Sequence, residues 1–257
     1  MTSRARFSLD GKVALVTGSG RGLGRAIAKG VADAGAAVVT TSRTAAEAES
    51  AATEIRGAGG RAISMAADVS DPAACTALVE MTVSEFGRID VLSCNAGIIL
   101  PAFAEHATQQ ELDQTLRINV GGYLYCAQAA ERHMTPQGGG SIVMTSSNAS
   151  LVAFPELLTY NISKSGVDMM VRTLAVEWGE RNIRVNAFNP GYMDHIMSRS
   201  EGYERNPTVE EMIRRNTPMR RRGRVEEVVS VAIFLASDAS SFITGTVLPV
   251  DGGWCAL

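Results

Sequence analysis

Short apolar runs rich in β-branched residues alternate along this chain with longer segments of helical periodicity. The apolar runs have few polar interruptions, as VALV within residues 12–17 illustrates, and this composition is typical of parallel strands buried on both faces. Strands separated by helices imply right-handed βαβ crossovers. We therefore predict an α/β fold, a doubly wound parallel seven-stranded sheet with helices on both faces. The predicted strands are residues 12–17, 37–41, 61–66, 90–94, 141–145, 184–188 and 246–250. The predicted helices are residues 25–34, 45–56, 72–86, 116–135, 159–180 and 226–237.

The alternation continues without a compositional break, so we expect residues 1–257 to form one domain. This length lies within the usual range for a single large α/β unit. Residues 192–224 are the exception, because this segment is long, polar and rich in arginine. Long irregular segments in compact domains usually serve a functional site, so we predict a substrate lid here.

Composition argues against several classes of function. A net charge of −3 and an aromatic content of 5% provide neither the basic field nor the stacking surface of a nucleic-acid-binding protein. Charged residues interrupt every apolar run well before the ~20 residues of a membrane span, and we expect no signal peptide at the N-terminus. The cysteines have neither C-x-x-C nor metal-ligand spacing, so we expect a reduced, cytoplasmic protein without a metal site. They are Cys75, Cys94, Cys126 and Cys255.

The first predicted strand leads into a glycine-rich loop that is followed by a helix. Its spacing is T-G-x-x-x-G-x-G from Thr17 to Gly24, rather than G-x-G-x-x-G. Glycines allow a tight turn and a close backbone approach to a pyrophosphate, which the helix N-terminus attracts. The alternative is a turn without a ligand, but the order of strand, loop and helix favours a Rossmann-like dinucleotide site. The predicted contacts are Gly18, Ser19, Gly20, Arg21, Gly22, Leu23 and Gly24.

The residues after the second strand bear on the choice of nicotinamide cofactor. NAD sites usually have a carboxylate there for the ribose 2′-hydroxyl, whereas this chain has Ser42 and Arg43. We therefore expect that no carboxylate is available to accept from a 2′-hydroxyl or to repel a 2′-phosphate. Arg43 and Arg21 suit a 2′-phosphate, because guanidinium groups match its geometry. We predict NADP(H); the alternative is that both arginines are solvated and NAD(H) binds.

Tyr160 and Lys164 are four residues apart on a predicted helix and therefore share one face. A free phenol has a pKa of about 10, and a nearby ammonium shifts it toward the range useful for acid/base catalysis. Ser147 lies thirteen residues upstream of Tyr160, just past the fifth strand, where parallel sheets bind ligands. Ser146 is an alternative to Ser147, and either serine could be an ordinary turn residue.

These motifs occur together and in order, and the chain from about residue 9 to residue 253 resembles the short-chain dehydrogenase/reductase family. The resemblance rests on the glycine loop, Ser147, Tyr160 and Lys164. It rests equally on Asp68-Val69, Asn95-Ala96-Gly97, Asn119 and Pro190-Gly191.

The resemblance implies an oxidoreductase that interconverts a secondary alcohol and a carbonyl. Tyr160 would be the general acid/base, and Ser147 would hydrogen-bond the carbonyl oxygen. Lys164 would hold the nicotinamide ribose and lower the pKa of Tyr160, while Asn119 would distort its helix and hold a water in a proton relay. It also implies a homotetramer in which the helices at 116–135 and 159–180 pack across one interface. Further cofactor contacts would be Tyr160, Lys164, Asp68, Val69, Asn95, Ala96, Gly97, Pro190 and Gly191.

The chain departs from the family pattern four residues after Gly191, where His195 replaces the usual threonine on the nicotinamide carboxamide. His195 either supplies that contact, faces the substrate or is a polar surface residue. Tyr192 and Arg199 are the other predicted substrate contacts. The lid at 192–224 has eight arginines against five acids, a net charge of +3, on a chain of −3 overall. This charge favours an anionic substrate, the alternative being subunit contacts or a solvated face.

The polar lid favours a sugar, polyol or sugar acid as substrate. One alternative is a 3-oxoacyl-carrier-protein reductase. Another is a non-catalytic NADP(H) sensor, which would have no need of Tyr160. Epimerases and dehydratases with Y-x-x-x-K are a third, but they have a different glycine spacing and a further substrate domain that we do not expect in 257 residues.

Overall fold

The computed structural model describes residues 3–194 and 206–257. Its centre is a sheet of seven strands, all parallel, in the order β3-β2-β1-β4-β5-β6-β7. This confirms the predicted fold, and each strand end lies within two residues of its predicted position. The strands are β1 (Val13–Val16), β2 (Ala37–Ser42), β3 (Ala62–Ala66), β4 (Val91–Cys94), β5 (Gly140–Thr145), β6 (Ile183–Pro190) and β7 (Val247–Val250).

Helices cover both faces of the sheet. The helices are α1 (Ser3–Arg6), α2 (Gly22–Asp33), α3 (Ala45–Gly57), α4 (Pro72–Phe86), α5 (Gln109–Leu116), α6 (Gly122–Met134), α7 (Leu158–Trp178), α8 (Pro207–Asn216) and α9 (Val225–Ala236). In β1, Leu15 packs into one apolar cluster with side chains of α4, α6 and α7. Ala14 and Val16 pack into the other with side chains of α2, α3 and α9. Successive strand side chains point to opposite faces, so uninterrupted apolar strands bury both.

Local capping signals fix where several helices begin and end. The Asp71 carboxylate accepts a 2.9 Å hydrogen bond from the main-chain N–H of Ala73 at the start of α4. Gly87 ends that helix with a φ of +79°, a conformation that glycine adopts without strain. Asp71 and Gly87 therefore set the bounds of α4, after which the chain enters β4.

The long helix predicted for 116–135 is wrong in its bounds. The structure has α5, then a π-helical turn at Arg117–Gly121, then α6. Thr108 and Glu111 form a capping box that starts α5, and this S/T-x-x-E pattern is visible in the sequence. The π turn interrupts what the apolar periodicity suggests to be one continuous helix.

The predicted lid contains a helix, α8, that the sequence analysis did not identify. Residues 195–205 of the lid lie outside the described residues. The two ends of the lid are tied together, because the N–H of Gly223 donates to the carbonyl of Tyr192 and the N–H of Asp194 donates to the carbonyl of Gly223, both at 2.9 Å. The segment therefore leaves the sheet after β6 and returns beside its own starting point.

Candidate active site and cofactor cleft

The carboxyl ends of β1 to β6 bring most of the predicted site residues to one edge of the sheet. The loop after β1 contacts the loop after β4, and the turn after β5 contacts the end of β6. In parallel sheets this edge is where ligands bind. The predicted residues found there lie at or just past the ends of β1 (18–24), β2 (42–43), β3 (68–69), β4 (95–97), β5 (147) and β6 (190–192).

The glycine loop packs backbone against backbone. Gly18 has a φ of +65°, and a Cβ there would lie 2.7 Å from the Cα of Ala96. A Cβ on Gly24 would clash with the carbonyl oxygen of Gly18. Helix α2 begins at Gly22, and no side chain caps its first turn. The loop thus fits a pyrophosphate, since the N-terminal amides of α2 have no side-chain acceptor of their own.

Asn95 connects three strands, β1, β4 and β5, at this edge of the sheet. Its main-chain N–H donates to the Thr17 hydroxyl at 2.9 Å, and its side-chain amide donates to the carbonyl of Gly18 at 3.4 Å. The hydroxyl of Thr145, at the end of β5, donates to its amide oxygen at 3.3 Å. Asn95 therefore holds the glycine loop against β4 and β5, as well as being a predicted cofactor contact.

Other predicted cofactor residues have structural partners too. Asp68 accepts a 2.9 Å hydrogen bond from the N–H of Ser70, and this bond is the main cause that lowers the pKa of its carboxyl. The positive charge of Arg43 lowers that pKa further. Val69 is buried, and a Cβ on Gly122 of α6 would lie 2.8 Å from its Cγ2.

A carboxylate lies at the end of β2 although none occurs in the strand itself. Glu47, in the first turn of α3, accepts a 2.8 Å hydrogen bond from the Ser42 hydroxyl. Its other oxygen lies 3.6 Å from the Arg21 guanidinium. The inference that no carboxylate is available there is therefore wrong, because the turn between β2 and α3 brings back a side chain five residues further on. Arg43 makes no hydrogen bond to any described residue.

Ser147 and Tyr160 lie together at the carboxyl end of β5. Burial raises the pKa of Tyr160 to about 12, and the Ser147 hydroxyl beside the phenol lowers it. Ser147 also caps a short 3₁₀ turn, accepting a 3.1 Å hydrogen bond from the N–H of Ala149. Ser146, the alternative, instead donates to the carbonyl of Lys164 at 3.3 Å. Of the two serines, Ser147 is the one beside the phenol.

Lys164 is buried beneath Tyr160. Its ammonium donates a 2.8 Å hydrogen bond to the carbonyl of Thr145 and lies 3.5 Å from the Tyr123 hydroxyl. It also lies 5.6 Å from the centre of the Tyr160 ring. Burial lowers the pKa of Lys164 to about 8, and the negative charge of Asp168 opposes that shift.

Asn119 lies in the π-helical turn and is fully buried. Its amide exchanges two hydrogen bonds with the main chain of Ile98, accepting at 2.8 Å and donating at 2.9 Å. It also donates to the Ser163 hydroxyl at 3.1 Å, and Ser163 donates to the carbonyl of Tyr160 at 2.8 Å. The helix is thus distorted at Asn119, as the resemblance implies. The proton relay stays a prediction.

Asn189, near the end of β6, holds the Ser147 turn. The Asn189 amide donates to the carbonyl of Ser147 at 2.9 Å and to the hydroxyl of Ser150 at 2.7 Å. It lies 3.3 Å from the buried carboxylate of Asp168, one turn after Lys164 on α7. Asn189 comes directly before the Pro190-Gly191 motif in the sequence. That position is the sequence signal for its role at the site.

Three aromatic rings meet beside this edge. Trp254 lies 5.3 Å from Tyr192 and 5.7 Å from Phe154, measured between ring centres. Phe154, Tyr192 and Trp254 follow the carboxyl ends of β5, β6 and β7, respectively. The Arg222 guanidinium lies 5.9 Å from the centre of the Tyr192 ring. We call Phe154, Tyr192 and Trp254 the aromatic wall.

The lid residues are described only in part. His195 and Arg199, two of the predicted substrate contacts, lie outside the described residues. Among those described, most lid arginines are paired with carboxylates. The pairs are Arg214–Glu211, Arg221–Glu227, Arg222–Glu210 and Arg224–Glu227. Glu210 and Glu211 are already counted in the net charge of +3, so among these partners only Glu227, in α9, offsets the excess of positive charge in the lid.

The described part of the chain has neither a metal-binding cluster nor a membrane-spanning helix. Within residues 3–194 and 206–257, no three His, Cys, Asp or Glu side chains are grouped so as to hold a metal ion. No described helix is long and apolar enough to span a bilayer. All four cysteines are free thiols, and three of them are buried.

Known proteins resemble this chain over its whole length. A family model described as enoyl-(acyl carrier protein) reductase matches residues 18–255. A versicolorin reductase of Emericella nidulans is 41% identical over 98% of this chain and 99% of the relative. A gluconate 5-dehydrogenase of Gluconobacter oxydans is 38% identical over 96% of each. The crystal structure of a gluconate 5-dehydrogenase from Burkholderia cenocepacia, in complex with NADP and tartrate, superposes with a TM-score of 0.95. The two sequences are 34% identical, and the superposition covers 100% of each chain.

Proposed function

Because the chain belongs to the short-chain dehydrogenase/reductase family, we propose that it is an NADP(H)-dependent oxidoreductase. The proposed reaction interconverts a secondary alcohol and a carbonyl on a sugar, polyol or sugar acid. The observation that carries the proposal is the convergence of Ser147, Tyr160 and Lys164 beside the glycine loop.

Each of these side chains has a proposed role. Tyr160 donates a proton to the carbonyl oxygen during reduction and accepts it from the alcohol during oxidation. Ser147 hydrogen-bonds the same oxygen and, beside the phenol, lowers the pKa of Tyr160. When bound, the nicotinamide supplies or accepts the hydride.

Lys164 supports Tyr160 electrostatically in this proposal. Burial raises the pKa of Tyr160 to about 12, so the phenol is protonated at neutral pH and is ready to act as an acid. As a base it needs positive charge nearby, and the Lys164 ammonium, 5.6 Å from the ring centre, provides it. Asn119 would hold a water in a proton relay that serves this pair.

The cofactor proposal rests on the glycine loop and on two cations near the end of β2. Arg21 and Arg43 are both exposed and would pair with a 2′-phosphate. The gluconate 5-dehydrogenase relative of known structure was crystallised with NADP. NAD(H) remains the alternative cofactor.

The substrate proposal draws on the relatives. Gluconate 5-dehydrogenase is the name of one similar protein and of one similar structure, and the latter contains tartrate. Gluconate and tartrate are both hydroxylated acids, so we include anionic substrates. Tyr192, His195 and Arg199 are the proposed substrate contacts.

A second candidate is an apolar ketone, such as the 3-oxoacyl thioester that the sequence leaves open. The aromatic wall favours it, since three rings pack beside the site. Phe103 and Leu151, in the loops after β4 and β5, are about half exposed. Such surfaces bind apolar groups better than sugars.

We also propose a cytoplasmic homotetramer. Helix α7 leaves Met169 and Val176 58% and 82% exposed, which suits burial against another subunit. Light scattering should give about four times the 27.2 kDa of the chain, and a monomer would refute this part.

The function is tested by steady-state rates with NADPH and NADH over a panel of sugar acids, polyols, 3-oxoacyl thioesters and aryl ketones. We expect NADPH to give the higher kcat/KM, and Arg43→Ala to weaken NADPH binding while leaving NADH binding unchanged. A clear preference for NADH would overturn the cofactor proposal. Absence of turnover with every member would favour a non-catalytic sensor.

A further inference from the structure

Three side chains meet where the glycine loop passes the end of β2. Glu47 accepts a 2.8 Å hydrogen bond from the Ser42 hydroxyl, and its second oxygen lies 3.6 Å from Arg21. A Cβ on Gly20 would lie 2.8 Å from the Cβ of Glu47 and 2.9 Å from that of Ser42. The Glu47 side chain therefore lies directly between the loop and the strand end.

This is the position at which dinucleotide-binding sheets distinguish the two nicotinamide cofactors. A carboxylate there accepts from a ribose 2′-hydroxyl, whereas an arginine there pairs with a 2′-phosphate. This chain brings both kinds of group to the same place. Glu47 also occupies the two donors, Ser42 and Arg21, that a 2′-phosphate would use.

We infer that Glu47 competes with the 2′-phosphate for Arg21 and Ser42, and so sets how strongly the protein prefers NADP(H) over NAD(H). The inference rests on the proposed cofactor. The Arg21 and Glu47 side chains are 61% and 35% exposed, and ion pairs this accessible to water are weak. A phosphate displaces such a pair, but it must then lie beside a carboxylate of like charge.

The consequence for each cofactor has a definite sign. Glu47 weakens the binding of NADP(H), because its charge repels the phosphate and its oxygens hold the phosphate's donors. It favours NAD(H), because it can accept a hydrogen bond from the 2′-hydroxyl. Arg43, which makes no hydrogen bond to a described residue, stays available to the phosphate and keeps the overall preference toward NADP(H).

The test compares the wild type with Glu47→Gln, which keeps the shape of the side chain and an oxygen for Ser42 but removes the charge. Calorimetry measures Kd for adenosine 2′,5′-bisphosphate and for adenosine 5′-monophosphate, two probes that differ only in the 2′-phosphate. We expect Glu47→Gln to raise the affinity for the bisphosphate relative to the monophosphate by roughly fivefold. The affinity for NADP⁺ relative to NAD⁺ should rise by the same factor. Glu47→Ala should shift it in the same direction.

Glu49→Gln is the matched control, because it removes the same charge from the same helix. Its carboxylate contacts Ser64 and Arg56, away from Arg21 and Ser42, so both ratios should stay at the wild-type value. Ratios for both Glu47 variants within about twofold of the wild type would overturn the inference. These measurements report binding and not turnover. If the affinity ratios shift as expected but the protein turns over no substrate, only the proposed enzyme activity is refuted. A protein that bound neither probe would refute the cofactor proposal and this inference with it.

Discussion

The Lys164 ammonium donates a 2.8 Å hydrogen bond to the carbonyl of Thr145, the last residue of β5. The lysine is thereby fixed to the strand whose end carries Ser147, while its own helix carries Tyr160. One buried cation thus connects the two elements that supply the proposed acid/base pair.

The charge of that lysine predicts the pH dependence of carbonyl reduction. Burial lowers the pKa of Lys164 to about 8, so the ammonium is present below that pH and is lost above it. Burial raises the pKa of Tyr160 to about 12, so the phenol stays protonated over the same range. The ammonium stabilises the phenolate that remains once Tyr160 has donated its proton, so we expect kcat/KM for reduction to be constant near neutrality and to fall above about pH 8. A profile that stays flat through about pH 9 would show that the charge of Lys164 is not required.

The two adjacent serines should differ sharply in their importance. Ser147→Ala should lower kcat/KM by roughly 10²–10³-fold, because it removes the donor to the reacting oxygen. Ser146→Ala is the control; its hydroxyl contacts the carbonyl of Lys164, and we expect a change of less than about threefold. The measurement is the reduction rate of each variant, with thermal unfolding to check that both fold. An equal loss in the two variants would contradict the assignment.

Asn119 should contribute to stability as well as to turnover. Replacing it with alanine leaves the main-chain N–H and carbonyl of Ile98 without their partner, so the free energy of unfolding should fall by about 2–3 kcal/mol. Asn161→Ala, which removes one hydrogen bond to Phe154, should cost less. Urea unfolding measures both, and a loss below about 0.5 kcal/mol for Asn119→Ala would mean that the π turn does not depend on this side chain.

The aromatic wall gives a prediction that also separates the two substrate classes. Trp254→Ala removes the ring that contacts both Phe154 and Tyr192, so KM for the preferred substrate should rise by about tenfold with a smaller change in kcat. Trp254→Phe keeps a ring and should stay near the wild type. If apolar ketones are the true substrates, their KM should rise more than that of a sugar acid. An unchanged KM for all substrates would place the wall outside the binding site.

Much of this arrangement follows from local sequence signals. Uninterrupted apolar strands alternating with helices predict the parallel sheet, because each such strand can be buried only between two helical layers. The loop after β1 and the residues after β5 and β6 are then brought to one edge by topology alone. Topology thus predicts the position of Ser147, whereas the roles predicted for Ser147, Tyr160 and Lys164 come from the resemblance to the family.

Other features depend on contacts that a linear pattern does not contain. Glu47 reaches the end of β2 only because the chain reverses before α3, and the sequence shows it merely as an acid in a helical turn. The π turn at Asn119 is stabilised by Ile98, twenty-one residues away. The lid arginines appear as net positive charge in the sequence, whereas their pairing with Glu210 and Glu227 emerges only in three dimensions.

The central claim is that Tyr160 transfers the proton in a nicotinamide-dependent reaction. The most direct test is turnover of Tyr160→Phe with the best substrate of the panel, together with calorimetric binding of NADP⁺. We predict that cofactor affinity stays within about twofold of the wild type while kcat falls by roughly 10²–10⁴-fold, the usual contribution of a general acid. A variant that binds NADP⁺ normally and retains more than about a tenth of the wild-type rate would contradict the account.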